Sequence, residues 1–180
     1  MNKVGLAVVG AGYWGPNLIR NTAASQKTEL KWVVDLNRET LDRVAAPYPA
    51  AQTTTDLDVM LADPEVTGVV LATPAGTHAA IATRCLEAGK HVLVEKPLAS
   101  TVEAGEALVK LADDKGLKLM CDHTFCYTGA VRHIAEVTKR GDLGEVHTFD
   151  SVRVNLGLIQ PDIDVYWDLA PHDLSILDFV

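Results

Sequence analysis

The chain is 180 residues long, 48% hydrophobic and 22% charged, with a formal net charge of −8. That length suffices for one α/β domain with a full core and some additional structure. The acidic balance argues against nonspecific binding to nucleic acid or an anionic membrane, no apolar run is long enough to span a bilayer, and the apolar N-terminus lacks a signal-peptide cleavage site, so the cytoplasm is the expected location.

Residues 4–9 form a short Val-rich run, the pattern of a buried parallel strand. It leads into Gly10-Ala11-Gly12-Tyr13-Trp14-Gly15, after which a helical pattern begins. In a Gly-x-Gly-x-x-Gly turn the first glycine permits the tight turn and the second lets a pyrophosphate approach the backbone. The third lets helix and strand pack closely. The helix N-terminus then presents N–H groups and a positive dipole end to the phosphates. The motif alone is weak. Its context strengthens it: a second strand over 29–34 ends at Asp35, twenty residues after Gly15. A carboxylate there accepts hydrogen bonds from the adenosine ribose and repels a 2′-phosphate, so NAD is expected rather than NADP. Arg38 is the competing signal for a 2′-phosphate; its plainer reading is a solvated residue opening the next helix.

Strands and helices then alternate, which predicts a doubly wound parallel sheet with helices on both faces. A helix over 38–46 is stopped by Pro47 and Pro49, a short strand falls at 52–53, and Thr55-Asp56 caps a short helix through Leu61. Residues 68–72 form a buried strand, Thr73-Pro74 a turn, and Thr77 opens a helix to 88 with Gly89 just beyond its end. The next strand is 91–95. Ser100-Thr101-Val102-Glu103 reads as a capping box, its helix stops at Gly116, and a sixth strand follows at 118–121.

Near residue 122 the pattern changes. A helix over 129–140 is closed by Gly141, and residues 145–155 partly alternate, as in a strand of an antiparallel or mixed sheet. A loop with Pro161 leads to Tyr166-Trp167-Asp168-Leu169-Ala170-Pro171-His172-Asp173 and an apolar helical run. The expected organisation is a Rossmann domain over 1–122 and the start of an α+β substrate domain over 123–180. Cys85, Cys121 and Cys126 make no disulfide framework. Cys121, His123 and Cys126 superficially resemble a metal cluster but lack a second ligand pair, so buried free thiols and no metal are expected.

Ligands of an open parallel sheet bind outside the carboxyl ends of its strands. Three such ends are chemically distinctive: the glycine turn, Thr73-Pro74 with His78 behind it, and Glu95-Lys96-Pro97. Taken singly, Lys96 reads as a snorkelling surface lysine and Pro97 as a helix-entry proline. Together with Asp168 and His172, these segments resemble the glucose–fructose oxidoreductase / inositol dehydrogenase (Gfo/Idh/MocA) family over the whole chain. Asn155-Leu156-Gly157 and the 167–173 run look most like the branch that oxidises nucleotide-linked sugars, such as UDP-N-acetylglucosamine or its uronic acid.

The resemblance implies NAD as cofactor, contacted by Gly10, Gly12, Tyr13, Trp14, Gly15, Asp35, Arg38, Thr73, Pro74, His78, Glu95, Lys96, Pro97 and Trp167. It implies that Lys96 lies near the nicotinamide and the reacting hydroxyl, and that the Lys96–Pro97 bond is cis. Asp168 and His172 then face the same pocket, His172 as base, Lys96 polarising the alcohol oxygen and Asp168 orienting the histidine or the sugar. The i, i+4 spacing of Asp168 and His172 puts them on one face of a helix. If Pro171 lies in a first turn, the helix dipole favours a neutral His172, with Lys96 acting in the same direction and Asp168 against it. Arg153 and Asn155 are candidate substrate contacts, with an exposed strand face as the plain alternative.

Family members are considerably longer, and no stop signal closes the last helix, so the chain reads as a fragment of a protein expected to be a homo-oligomer at full length. Two other functions fit the same residues: a non-catalytic NAD-binding protein, and an NAD-dependent glycoside hydrolase in which the same hydride step precedes elimination.

Overall fold

The computed structural model describes residues 3–153 and 163–180. Its centre is a six-stranded parallel sheet in the order β3-β2-β1-β4-β5-β6. The strands are β1 (Val4–Val9), β2 (Thr28–Val34), β3 (Gln52–Thr54), β4 (Gly68–Leu71), β5 (His91–Glu95) and β6 (Leu119–Asp122). Between them run α1 (Gly15–Ala24), α2 (Arg38–Ala45), α3 (Leu57–Leu61), α4 (His78–Glu87) and α5 (Val102–Asp114). The chain moves outward from β1 to β3 on one side, then restarts at β4 on the other. That reversal leaves a crevice at the carboxyl ends of β1 and β4, the switch point of a doubly wound sheet.

The side-chain period of two explains the layering. Ala7, Val9, Val34, Val69, Leu71, Val92 and Val94 face a core shared with Ala82, Cys85 and Leu86 of α4 and Leu108 and Ala112 of α5. Their neighbours Val8, Val33 and Val70 face the opposite core, filled by Ile19 of α1 and Leu41 of α2. Each fully buried aliphatic side chain contributes about 1.5–3 kcal/mol relative to exposure, so both helix layers are tied to the sheet. Between Leu6 and Ala7 the pairing with β2 slips by one residue, from Leu30 to Trp32. Trp32 packs in the first core, and its indole Nε1 donates to Asp63 Oδ2 at 2.7 Å.

Residue contacts divide the chain into two compact units, one ending at Cys121 and the other beginning at Asp122. In the second unit, a 3-10 turn at Thr124–Tyr127 precedes α6 (Gly129–Arg140), closed by Gly141 at φ 78°, and α7 spans Val165–Phe179. No helix among the described residues is long and apolar enough to cross a membrane.

Several local expectations are corrected. The cap of α5 is Thr101, whose hydroxyl accepts from the Ala104 N–H at 3.2 Å, so the Ser100–Glu103 capping box is out of register by one residue. Residues 145–153 form no strand; the alternation lacks a neighbouring strand to pair with among the described residues of this unit, and an unpaired strand has no ladder to hold it. Asn155 and Pro161 lie outside the described residues. Of the three cysteines only Cys85 is buried, Cys121 and Cys126 being half-buried. Among the described residues no group of His, Cys, Asp and Glu is arranged to hold a metal ion.

Candidate functional site

The glycine turn is tightly packed at both ends and open at its middle. Gly10 has φ 95°, and a Cβ there would lie 2.5 Å from the Ala72 carbonyl oxygen and 2.8 Å from the Thr73 nitrogen, so the turn touches the end of β4 directly. A Cβ at Gly15 would overlap the Gly10 carbonyl oxygen, which is how closely α1 abuts the strand. At Gly12 a Cβ would meet nothing within 4 Å: the space above it is open, as a ligand needs. The first turn of α1 carries no acidic residue to repel an anion, and Pro16 sits where a helix needs no donor. Tyr13 and Trp14 are both exposed at this turn, their ring centroids 6.5 Å apart.

Asp35 stands at the carboxyl end of β2. Its Oδ2 accepts from the Ala11 N–H at 2.7 Å and its Oδ1 from the Asn37 N–H at 2.8 Å. A carboxylate has about four acceptor positions, so two contacts leave capacity for a ribose diol. Asn37 caps α2 through Thr40 N at 3.0 Å. Arg38, the next residue, is exposed and paired with Asp42, Nε to Oδ1 at 3.4 Å.

Across the crevice, Thr73 and Pro74 close β4 and a 3-10 turn at Ala75–Thr77 leads into α4. The Thr77 hydroxyl lies 2.7 Å from Pro74 O and 2.8 Å from Thr73 Oγ1, which pins this turn to itself. At the end of β5, Glu95 and Lys96 are half-buried, and the Lys96–Pro97 peptide is cis. Glu95 Oε2 accepts from the Lys96 N–H at 3.2 Å. His78, expected as a cofactor contact, is 1% exposed, and its ring nitrogens face the Pro97 and Thr73 carbonyl oxygens.

In the second unit, Asp168 and His172 share a face of α7, with Trp167 exposed in its first turn. Asp164 caps that helix, accepting from Tyr166 N at 2.9 Å and Trp167 N at 3.1 Å. The helix starts at Val165, so Pro171 lies near its middle and not in a first turn. The dipole argument for a neutral His172 therefore fails, because that field fades within one turn. Packing orients the ring instead. The Phe125 ring meets the His172 imidazole edge-on, centroids 4.8 Å apart at 73°. Arg153 lies over the other partner of this stack, its Cζ 4.8 Å from the Phe125 centroid, and its Nε donates to Asp173 Oδ2 at 2.7 Å. Ser151 Oγ donates to Asp173 Oδ1 at 2.6 Å. The Arg153 hydrogen bond, reinforced by Ser151, holds the Asp173 carboxyl below the usual range against a burial effect of opposite sign. Arg153, expected as a substrate contact, is hydrogen-bonded to Asp173 and lies over Phe125, the neighbours of His172.

Sequence reasoning missed Phe125, Ser151 and Asp173. Phe125 sits in an irregular turn where no periodicity marks it. Asp173 adjoins His172 in the motif itself, but only the fold shows that it faces Arg153.

A family model described as "Oxidoreductase family, NAD-binding Rossmann fold" matches residues 4–123. The chain is 30% identical over 126 residues to scyllo-inositol 2-dehydrogenase (NADP(+)) IolW of Bacillus subtilis, covering 70% of this chain and 34% of that protein. It is 31% identical over 172 residues to UDP-N-acetylglucosamine 3-dehydrogenase of Acidithiobacillus ferrooxidans, covering 94% and 51%. The crystal structure of GenD2 from gentamicin A biosynthesis in complex with NAD aligns with TM-score 0.76 and 34% identity, covering 79% of this chain and 40% of that one. The chain spans about a third to a half of the length of these curated relatives.

Proposed function

The chain belongs to the Gfo/Idh/MocA oxidoreductase family, and from that membership we propose that it carries the cofactor half of an NAD-dependent dehydrogenase acting on a secondary alcohol of a sugar, within that class a nucleotide-linked sugar. The observation that carries the reading is the crevice at the ends of β1 and β4, with an open approach over Gly12, a helix N-terminus behind it and the Asp35 carboxylate at one side. Gly10, Gly12 and Gly15 with the start of α1 hold the pyrophosphate, and Asp35 accepts from the adenosine ribose. The bound nicotinamide supplies the hydride acceptor.

NAD is preferred over NADP in this proposal for two reasons. A carboxylate at the ribose repels a 2′-phosphate. The arginine that would neutralise such a phosphate, Arg38, is turned to Asp42. The Bacillus subtilis relative is named for NADP(+), so cofactor choice varies within the family and rests here on these two side chains.

For the chemistry, His172 removes the hydroxyl proton, Lys96 donates a hydrogen bond to the same oxygen, and Asp168 orients the histidine or the sugar. Geometry supports His172 in this role through the Phe125 contact and the Arg153–Asp173 pair, which limit where the imidazole can go. The half-buried Asp173 carboxylate next to it also stabilises the imidazolium formed when the proton is taken. The nucleotide-linked sugar is favoured by the alignment to the Acidithiobacillus enzyme over nearly the whole chain.

The test is NADH formation from UDP-N-acetylglucosamine, its uronic acid and scyllo-inositol by the protein at its relatives' length, wild type and His172→Ala. Removal of a general base costs about 10²–10⁴ in rate, and that loss is expected with NAD affinity little changed. Full activity of His172→Ala moves the base elsewhere. NADH that forms and is consumed again within turnover points to the glycoside-hydrolase alternative, and none at all to a non-catalytic binder.

A further inference from the structure

His78 is the first residue of α4, and it is nearly inaccessible. Its Nδ1 lies 2.7 Å from the Pro97 carbonyl oxygen and its Nε2 lies 2.8 Å from the Thr73 carbonyl oxygen. Both partners are backbone acceptors, one in the turn after β4 and one in the loop after β5. A neutral ring donates to one of them, and a ring carrying both protons donates to both. The ring spans the gap between the two segments that line one side of the crevice, and it is hydrogen-bonded to both when both nitrogens carry a proton.

This strut continues at both ends. Thr73 on its near side backs onto Gly10, whose missing Cβ leaves room for the Ala72 and Thr73 backbone. Pro97 on its far side is joined by the cis peptide to Lys96. A continuous path therefore runs from the glycine turn through Thr73, His78 and Pro97 to Lys96. Every step in it is backbone or a buried ring, so it has little slack.

We infer that His78 is a positioning residue that sets the nicotinamide side of the crevice by holding the Lys96–Pro97 loop at a fixed separation from the glycine turn. The inference rests on the dinucleotide reading. Asp35 places the adenosine half of a dinucleotide on the β2 side of the switch point, so the nicotinamide half falls on the β4 and β5 side, where His78 acts. His78 itself touches no ligand; its effect reaches the site through the two carbonyls. Loss of the strut therefore weakens binding of the nicotinamide half and spares the adenosine half. A residue of merely structural importance would weaken both together.

The experiment compares NAD with ADP-ribose, which lacks the nicotinamide, by calorimetry on the chain and on His78→Leu and His78→Asn. His78→Leu is expected to bind NAD about tenfold more weakly, the scale of one lost buried hydrogen bond, with ADP-ribose affinity changed by less than about twofold. His78→Asn, whose side-chain amide reaches the Nδ1 position and keeps the Pro97 contact, is expected to recover part of the loss. Equal losses for both ligands, or no loss for either, overturn the inference. In parallel, nitrogen-15 spectra of the ligand-free chain should show a His78 ring N–H that exchanges slowly with solvent. A rapidly exchanging ring overturns the strut even if a variant fails to fold. Wild-type chain that binds neither ligand defeats the dinucleotide reading and the positioning role with it, whereas a slow ring proton beside that result would leave a strut with no cofactor to serve. Failure of the inference alone looks different: wild type binds NAD, and the variants bind it equally well.

Discussion

Asp35 Oδ2 lies 2.7 Å from the Ala11 amide nitrogen, so the carboxylate at the end of β2 holds the glycine turn at the end of β1. That side chain supports the turn, and in the proposed reading it also selects at the ribose. Asp35→Ala removes both, and NAD and NADP affinities should both fall. Asp35→Asn keeps an oxygen for the Ala11 N–H but loses the charge that repels a 2′-phosphate. The expected result is a smaller loss of NAD affinity and a narrower gap between NAD and NADP than in wild type, measured by calorimetry with each cofactor. An unchanged gap in Asp35→Asn would remove the charge argument.

The three glycines of the turn separate folding from binding. Gly12→Ala places its methyl in open space, so the melting temperature should stay within a degree or two of wild type while dinucleotide affinity drops, because the methyl stands where a pyrophosphate approaches. Gly10→Ala adds a methyl against the Ala72 and Thr73 backbone at positive φ, and Gly15→Ala drives one into the Gly10 carbonyl. Those two should lose stability as well as binding, on the order of 1–3 kcal/mol or more each, by overpacking and strain. Thermal melts and NAD titration on the same three proteins make the comparison. A Gly12→Ala protein that binds NAD as tightly as wild type contradicts the proposed pyrophosphate site.

At the opposite end of the sheet Asp63 accepts from Trp32 Nε1 at 2.7 Å and from the Glu65 N–H at 2.8 Å. The indole hydrogen bond, helped by the Glu65 amide, holds its carboxyl below the usual range. A depressed folded pKa stabilises the fold above the unfolded value, near 3.9 for an aspartate, and that contribution is lost as pH falls through the folded value. Asp63→Asn should therefore be less stable than wild type at neutral pH, and the difference should close below about pH 4. Urea melts across that range, followed by the fluorescence of buried Trp32, test it; a difference independent of pH would assign the effect to packing.

Cys85 is fully buried in the first core, and burial pushes its thiol up to about 12. A neutral buried thiol is a poor nucleophile. Alkylation at neutral pH should leave Cys85 unmodified in the native chain and label it on denaturation, read by peptide mass spectrometry. Labelling of native Cys85 at the rate of half-buried Cys126 would contradict its place in the core.

The first 122 residues were legible because their signals are local. Val4–Val9 followed by Gly10, Gly12 and Gly15 marks a strand, a turn and a helix without reference to the rest of the chain, and Gly89 and Gly116 mark helix ends by the positive φ they adopt. Thr101 took the cap from Ser100 because either hydroxyl suits an N-cap, and tertiary packing of Leu108 and Ala112 decides the register. Beyond residue 122 the helix over Gly129–Arg140 and its Gly141 stop were legible in the same way, but two other signals misled, each for its own reason. The alternation over 145–153 is real but needs a partner strand, which local pattern cannot supply. Pro171 looked like a helix entry because proline is favoured there, yet Asp164 caps the helix seven residues earlier. For the site, residue types near the strand ends were readable, and their partners were not: nothing local tells that Asp35 binds Ala11, that His78 points inward at two carbonyls, or that Arg153 spends its guanidinium on Asp173 and Phe125.

The central claim is that the crevice between β1 and β4 binds a dinucleotide and prefers NAD. Calorimetric titration of the chain with NAD and, separately, NADP tests it most directly. The account predicts saturable one-to-one binding of both, with NAD the tighter. Tighter binding of NADP, or no saturable binding of either, would contradict it.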